Sequence, residues 1–247
     1  MSKLKNAPLL EVIFELRWNM SDRTHWEKYP YLHGDLYSQL KDKYPKRELL
    51  FPAEIPQEAL INKAVYRFRS KEDYPLFQIG PGLLTLNTTD DYYEWEDYYS
   101  HIRELSKEFF ELYNFSSGEK ITPSLNYYDF LEFDWDEQDV LNYLSNNLNI
   151  KIAQEFHNFS VDPNTFNLGI GYKTQLGNFN LRIDAGMNKR QKKGLILQFQ
   201  LNGLPKDPNM DSLTSWLNEG HKMCSNLFKE TTRGDLYNSF TKEVLKN

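Results

Sequence analysis

The sequence predicts an α+β fold: a large, mainly antiparallel, twisted sheet in two pseudo-repeated halves, with long helices packed on one face. Three observations carry that expectation. Segments in which apolar and polar residues alternate recur along the chain and are joined by short turn signals, which favours hairpins over helical crossovers. Two long stretches instead carry apolar residues at helical spacing. Gly82-Leu83-Leu84 ahead of a helix bearing Trp95 is echoed by Gly194-Leu195-Ile196 ahead of a helix bearing Trp216, each pair following a hairpin.

Leu9 to Trp18 alternates, with Val12, Phe14, Leu16 and Trp18 on one side and Ile13, Glu15 and Arg17 on the other, the pattern of a half-buried strand. From Pro30 to Pro45 the spacing of Leu32, Leu36 and Leu40 predicts a short helix bracketed by prolines. Residues 46 to 60, with Pro52 and Pro56, read as an irregular connection. Ala64, Tyr66 and Phe68 alternate with Val65, Arg67 and Arg69 as a second strand. Phe77-Gln78-Ile79 and Leu83 to Asn87 then form a hairpin around Gly80-Pro81-Gly82, a segment suited to a tight reversal.

Only a helix places Trp95, Tyr98, Tyr99, Ile102, Leu105, Phe109, Leu112 and Tyr113 in one stripe. Thr89, Asp90 or Asp91 is expected to cap it, and residues 114 to 120 end it. A strand at Leu125 to Phe133, with Tyr127 and Leu131 sharing a face, closes the first half. The second half opens with a helix through Val140, Leu141, Leu144 and Leu148, capped by Asp134 or Asp136. Three alternating segments follow, through Phe166 to Tyr172, Phe179 to Ala185 and Leu195 to Leu201, as a meander. Leu213, Trp216, Leu217, Met223, Cys224, Leu227 and Phe228 make a second long helix, and Leu236, Phe240 and Val244 a terminal one. No Gly/Ser/Pro-rich linker intervenes, so residues 1–247 read as a single domain with halves of about 1–133 and 134–247.

Composition narrows the function classes. At 247 residues, 40% apolar and 15% aromatic, the chain has ample material for a core. A net charge of −6 disfavours a general nucleic-acid binder, which carries a basic excess to displace counterions. One cysteine, Cys224, cannot form an internal disulfide, and no apolar run reaches the roughly 18 residues of a membrane span. The expectation is a cytoplasmic protein without membrane contact, compatible with homo-oligomers. The five histidines are scattered, no Ser or Cys occupies a nucleophile-elbow pattern and no phosphate loop is present, so no catalytic residue, cofactor or metal is assigned and the pattern points away from an enzyme.

The opening Asn6-Ala7-Pro8-Leu9-Leu10-Glu11-Val12-Ile13-Phe14-Glu15-Leu16-Arg17-Trp18, together with Phe77-Gln78-Ile79-Gly80-Pro81-Gly82 and the closing Trp216, His221, Phe228 and Thr231-Thr232, resembles a sporadically distributed family of uncharacterised bacterial proteins of about this length. The resemblance spans the chain. It implies patchy inheritance of the kind seen for defence, toxin-antitoxin or mobile-element genes, and brings no established activity and no catalytic residues.

Several clusters are candidate sites. His221 and Cys224, three apart on a helix, have the spacing of two metal ligands but lack further cysteines; packing explains them better. Asp134, Asp136, Glu137 and Asp139 lack the glycine and terminal glutamate of a calcium loop and precede a helix, where acidic residues belong anyway. Arg17, Arg67, Arg69 and Arg182 alternate with strand residues and face either an anion-holding groove or solvent. Lys189, Arg190, Lys192 and Lys193 form the dense basic cluster, at a turn that either grips an acidic partner or nucleic acid or blunts a sheet edge. In the acidic-aromatic stretch Asp90 to Tyr99, Tyr92 and Tyr93 are the residues expected at a protein-binding surface.

The leading expectation is therefore a non-enzymatic binding protein with a protein partner, such as an accessory or neutralising component of a bacterial defence or toxin-antitoxin system. The alternatives are a small-molecule binder or enzyme with a cavity between sheet and helix, and a nucleic-acid contact through the basic turn. A deep polar-lined cavity would favour the small-molecule reading.

Overall fold

The computed structural model describes residues 4–155 and 163–242. In chain order the elements are β1 (Leu9–Trp18), α1 (Arg23–Leu40), β2 (Lys46–Leu49), β3 (Tyr66–Arg69), β4 (Leu76–Gly80), β5 (Leu83–Thr88), α2 (Trp95–Tyr113), β6 (Ile121–Glu132), α3 (Val140–Asn147), β7 (Asn167–Thr174), β8 (Gly177–Met187), β9 (Lys193–Gly203), α4 (Met210–Thr231) and α5 (Asp235–Thr241). Short 3₁₀ turns occupy Gln57–Leu60 and Asp90–Tyr92. The strands form one nine-stranded sheet in the order β2-β3-β4-β5-β1-β6-β9-β8-β7, antiparallel throughout.

That order contains a repeat. A strand, a helix, three antiparallel strands and a long helix occur as β1, α1, β3-β4-β5, α2 and again as β6, α3, β7-β8-β9, α4. β1 and β6 pair at the junction, so β3-β4-β5-β1 is mirrored by β6-β9-β8-β7, and β6 opens the second series. β2 is an extra edge strand outside the repeat.

Alternation decides which face is covered. Val12, Phe14, Leu16 and Trp18 are buried and lie opposite Tyr127, Leu125, Pro123 and Ile121 on β6; Leu197, Phe199 and Leu201 continue the face on β9. Against it pack Ile102, Leu105 and Phe109 of α2 and Leu213, Trp216 and Leu217 of α4, all part of the same buried cluster. The opposite face is polar. Its arginines are paired: Arg17 with Glu15 at 2.8 Å, Arg69 and Arg67 with Glu48 at 2.6 and 3.4 Å, and Arg182 with Asp184 at 3.7 Å.

Several boundaries depart from the sequence expectation for physical reasons. α1 begins at Arg23, where Asp22 accepts from Thr24 N, so Pro30 lies inside the helix. Proline there removes one ladder bond, but buried His25 and Tyr29 extend the stripe of Leu32, Leu36 and Leu40 back through the first turns. Lys46–Leu49, part of the expected irregular connection, is β2; three of its four residues are charged, as suits an edge strand. Thr89, Asp90 and Asp91 do not cap α2 because residues 90–92 turn as a 3₁₀ helix and α2 starts only after Glu94. Asp139 caps α3 instead of Asp134 or Asp136, accepting from Leu141 N at 2.8 Å. β6 starts at Ile121, ahead of the expected Leu125. Val244 and His157 lie outside the described residues.

α2 is held to the sheet by an unusual bond. Phe14 and Leu86 face each other across β1 and β5, and the Tyr98 hydroxyl bridges them, accepting from Phe14 N at 2.8 Å and donating to Leu86 O at 2.7 Å. On the other side, Trp216 is buried and its indole Nε1 donates to Leu176 O at 3.0 Å. Tyr98→Phe should leave a buried N–H and C=O short of a partner and cost about 1–3 kcal/mol. Denaturant melts check this; a loss below about 0.5 kcal/mol would mean the ladder closes without the hydroxyl. Trp216→Ala should cost about 3–5 kcal/mol in the same melts, the range for deleting a buried large aromatic.

Candidate functional site

A cavity of about 550 Å³ opens where the N-terminal segment, the start of α2, the end of β6 and the helices α4 and α5 meet. Backbone bonds hold the N-terminal wall in place: Phe130 N donates to Pro8 O at 2.8 Å, and Asn6 N to Phe240 O at 3.0 Å. At the same point the β1/β6 register shifts between Leu9 and Glu11. The extra residue lets Leu9 face the cavity opposite Asp129, while Leu10 lines a shallower depression with Lys189. A bulge at this position re-aims side chains where the sheet meets the site.

The roof joins the two long helices. The ring of Trp95, first residue of α2, stacks on His221 of α4 with centroids 3.7 Å apart and planes 7° from parallel. The Tyr127 hydroxyl lies 2.8 Å from His221 Nδ1 and 3.4 Å from the Tyr93 hydroxyl, giving a Tyr93-Tyr127-His221 chain along one wall. Phe199 and Phe228 supply apolar surface.

Asp129 carries the unusual electrostatics. Only 4% exposed, it projects from β6 onto the cavity wall. Burial, with the nearby Asp90 carboxylate adding to it, pushes its pKa up to about 7. Among the described residues no hydrogen-bond donor relieves it. Around it four groups are held neutral: burial pushes His221 down to about 4 and the Cys224 thiol up to about 12, and it raises the Tyr93 and Tyr127 hydroxyls. The wall is therefore largely aromatic and apolar, with Lys5, Asp90, Glu94 and Lys229 at its polar positions and one buried carboxyl that titrates near neutrality.

The residues singled out from the sequence fall in two places. Tyr93 belongs to the cavity wall. Tyr92 is 38% exposed and stacks on Tyr74 at 6.1 Å, and Lys189 Nζ lies 6.0 Å from the centre of the same Tyr74 ring. Tyr92 and Lys189, 97 residues apart by subtraction of their numbers, thus share one surface cluster. Arg190 is exposed in the turn, Lys192 pairs with Glu132 at 2.7 Å, and Lys193 opens β9. His221 and Cys224 both reach the cavity, but among the described residues no group of three or more His, Cys, Asp or Glu is arranged to hold a metal. Asp134 and Asp139 make local turn and cap bonds.

Asp129 escaped the sequence reading, although a signal was present. Tyr127 and Leu131 share a face, and period-2 alternation puts the residue between them on that same core-directed face. A carboxylate in phase with a buried stripe is the mark that would have found it. Comparison with family models, with curated proteins and with solved structures finds no match. Among the described residues no helix is long and apolar enough to cross a membrane.

Asp129 and His221 should leave opposite imprints on stability. The Asp129 pKa is raised from 3.8 to about 7, so its native state holds a proton that the unfolded chain has released, and its contribution falls as pH rises through that interval. The His221 pKa is lowered from 6.5 to about 4, so its contribution is present above 6.5 and lost as pH falls towards 4. In the wild type the two offset each other over much of this range. Asp129→Asn should expose a stability that climbs with pH, and His221→Gln one that declines. Urea melts from acid to neutral pH check the pair, and slopes of the same sign in both variants would refute the assignment.

Proposed function

We propose that this protein binds a small molecule in the cavity between its sheet and its long helices. The single observation that carries the reading is the cavity itself: about 550 Å³, within the size range of ligand pockets, with a largely apolar and aromatic wall and a few convergent polar groups. Catalysis has less support. The Cys224 thiol, with a pKa near 12, is not a thiolate at neutral pH, and His221 is stacked on Trp95 with Nδ1 engaged by Tyr127. These groups build a shaped wall and do not form a nucleophile with its base.

A second reading, a protein partner, is favoured by the exposed Tyr74-Tyr92-Lys189 cluster, since tyrosines beside a basic side chain suit an acidic protein surface. Its setting in bacterial defence or toxin neutralisation rests on the sequence resemblance alone.

Native mass spectrometry of protein purified from its own host, followed by denaturation and small-molecule analysis, tests the first reading. We expect a bound compound near one equivalent. Ala7→Phe, which adds a ring to the cavity wall, should expel it while the melting transition is retained. An empty cavity in freshly isolated protein, with a partner chain lost on reversing Lys189, Arg190, Lys192 and Lys193 to Glu, would favour the second reading; multiple turnover of the bound compound would replace binding with catalysis.

A further inference from the structure

We infer that the ligand of this cavity carries a protonated amine or amidinium attached to an aromatic or apolar body, and that Asp129 is its seat. The inference rests on the cavity-binding reading and specifies what the cavity selects. Asp129 is 4% exposed, faces the cavity and meets no hydrogen-bond donor among the described residues. A buried carboxylate without donors is costly, and a partner that brings both positive charge and N–H groups removes that cost. An anionic ligand would instead bring its negative charge against the Asp129 carboxylate. A neutral apolar ligand would leave the carboxyl as it is.

The surroundings suit a cation as well. The Tyr93, Tyr127 and Trp95 rings line the same space, and aromatic faces attract an ammonium through their negative quadrupoles. The Leu9 bulge places an aliphatic side chain opposite Asp129, leaving the ligand's body to the apolar side of the cavity. Amine specificity then comes from an ion pair with a carboxylate that is itself only 4% exposed.

Binding should depend on pH through Asp129. The titratable and charged groups on the cavity wall are Asp90, Tyr93 and Glu94 before α2, Tyr127 on β6, His221, Cys224 and Lys229 on α4, Tyr237 on α5, and Lys5 on the N-terminal segment. Tyr93, Tyr127 and Cys224 stay protonated and His221 stays neutral through the neutral range, while Asp129 titrates within it. A permanent cation should therefore bind weakly in acid, tighten by about tenfold per pH unit up to the Asp129 pKa, and level off above it.

Three related probes test the inference by titration calorimetry: tryptamine, 3-ethylindole, which is the same molecule without the amine, and the anion indole-3-propionate, each with the wild type and with Asp129→Asn between pH 5.5 and 8. Tryptamine should bind at least tenfold more tightly than 3-ethylindole at pH 8, lose that advantage in acid, and lose it at every pH in the variant, while indole-3-propionate binds most weakly. The acid-to-neutral profile of the wild type reads the same property without any substitution. Equal affinity for tryptamine and 3-ethylindole would overturn the cation seat and leave the cavity reading intact. Binding of none of the three, up to their solubility limits, would overturn both.

Discussion

One apolar face of a nine-stranded sheet has to be covered along its width, and the Tyr98 hydroxyl fixes how the first long helix does it. A helix packed only through aliphatic side chains can slide along a sheet at little cost. A hydroxyl bonded to the backbone of β1 and of β5 at once cannot, because moving it strands a buried N–H and a buried C=O together. With α2 pinned there, Trp18, Phe109 and Tyr113 close in an aromatic cluster in which Tyr113 also meets His25 of α1 at 2.6 Å. One polar contact thus sets the height and register of two helices over the first half of the sheet.

The repeat explains why a cavity remains. Two series of the same element order meet along β1 and β6, each covering its own strands with a long helix, and α2 and α4 come together at the Trp95-His221 stack. Beside that contact a space remains between the sheet and the helices. Here it is walled by the segment before β1 and by α5, elements with no counterpart in the other series. Additions to the repeat, rather than the repeat itself, therefore turn a packing gap into a walled cavity.

Most of the fold was legible because its signals are periodic and local. Val12, Phe14, Leu16 and Trp18 declare their face by alternation alone, and the stripe from Trp95 to Tyr113 declares a helix by spacing alone. Boundaries were less so. Pro30 looks like a helix start because proline suits that position, and nothing in the neighbouring sequence says that His25 and Tyr29, which precede it, are buried against the rest of the structure. β2 hides for the opposite reason: an edge strand needs charge to resist pairing, and charge suppresses the apolar pattern by which strands are recognised. The candidate site was least legible. Tyr93, His221 and Cys224 could be named one at a time, but their meeting depends on contacts between β6, α2 and α4 that no short-range pattern encodes.

Asp129 decides how the cavity is to be understood. Its position on β6, flanked on the same face by Tyr127 and Leu131 and opposed by Leu9 and Leu197, calls for an apolar side chain on every local criterion. A leucine there would bury apolar area and extend the cluster; the aspartate instead adds desolvation and repulsion from Asp90, which together hold its pKa near 7. No hydrogen bond among the described residues offsets that cost. Sequences that satisfy alternation, capping and core packing elsewhere and break the rule at one cavity-facing residue do so where binding or chemistry demands it. The same reasoning separates Asp129 from the buried polar groups of the opposite face. Asn87 donates to Glu11 at 2.8 Å and accepts from Thr85 at 2.9 Å, so it serves the sheet itself; Asn126 donates to Ser124 at 3.1 Å, although its Oδ1 is buried without a partner among the described residues. Asp129 meets no such partner among the described residues and stands on the cavity wall, which is why we propose a ligand of complementary charge there.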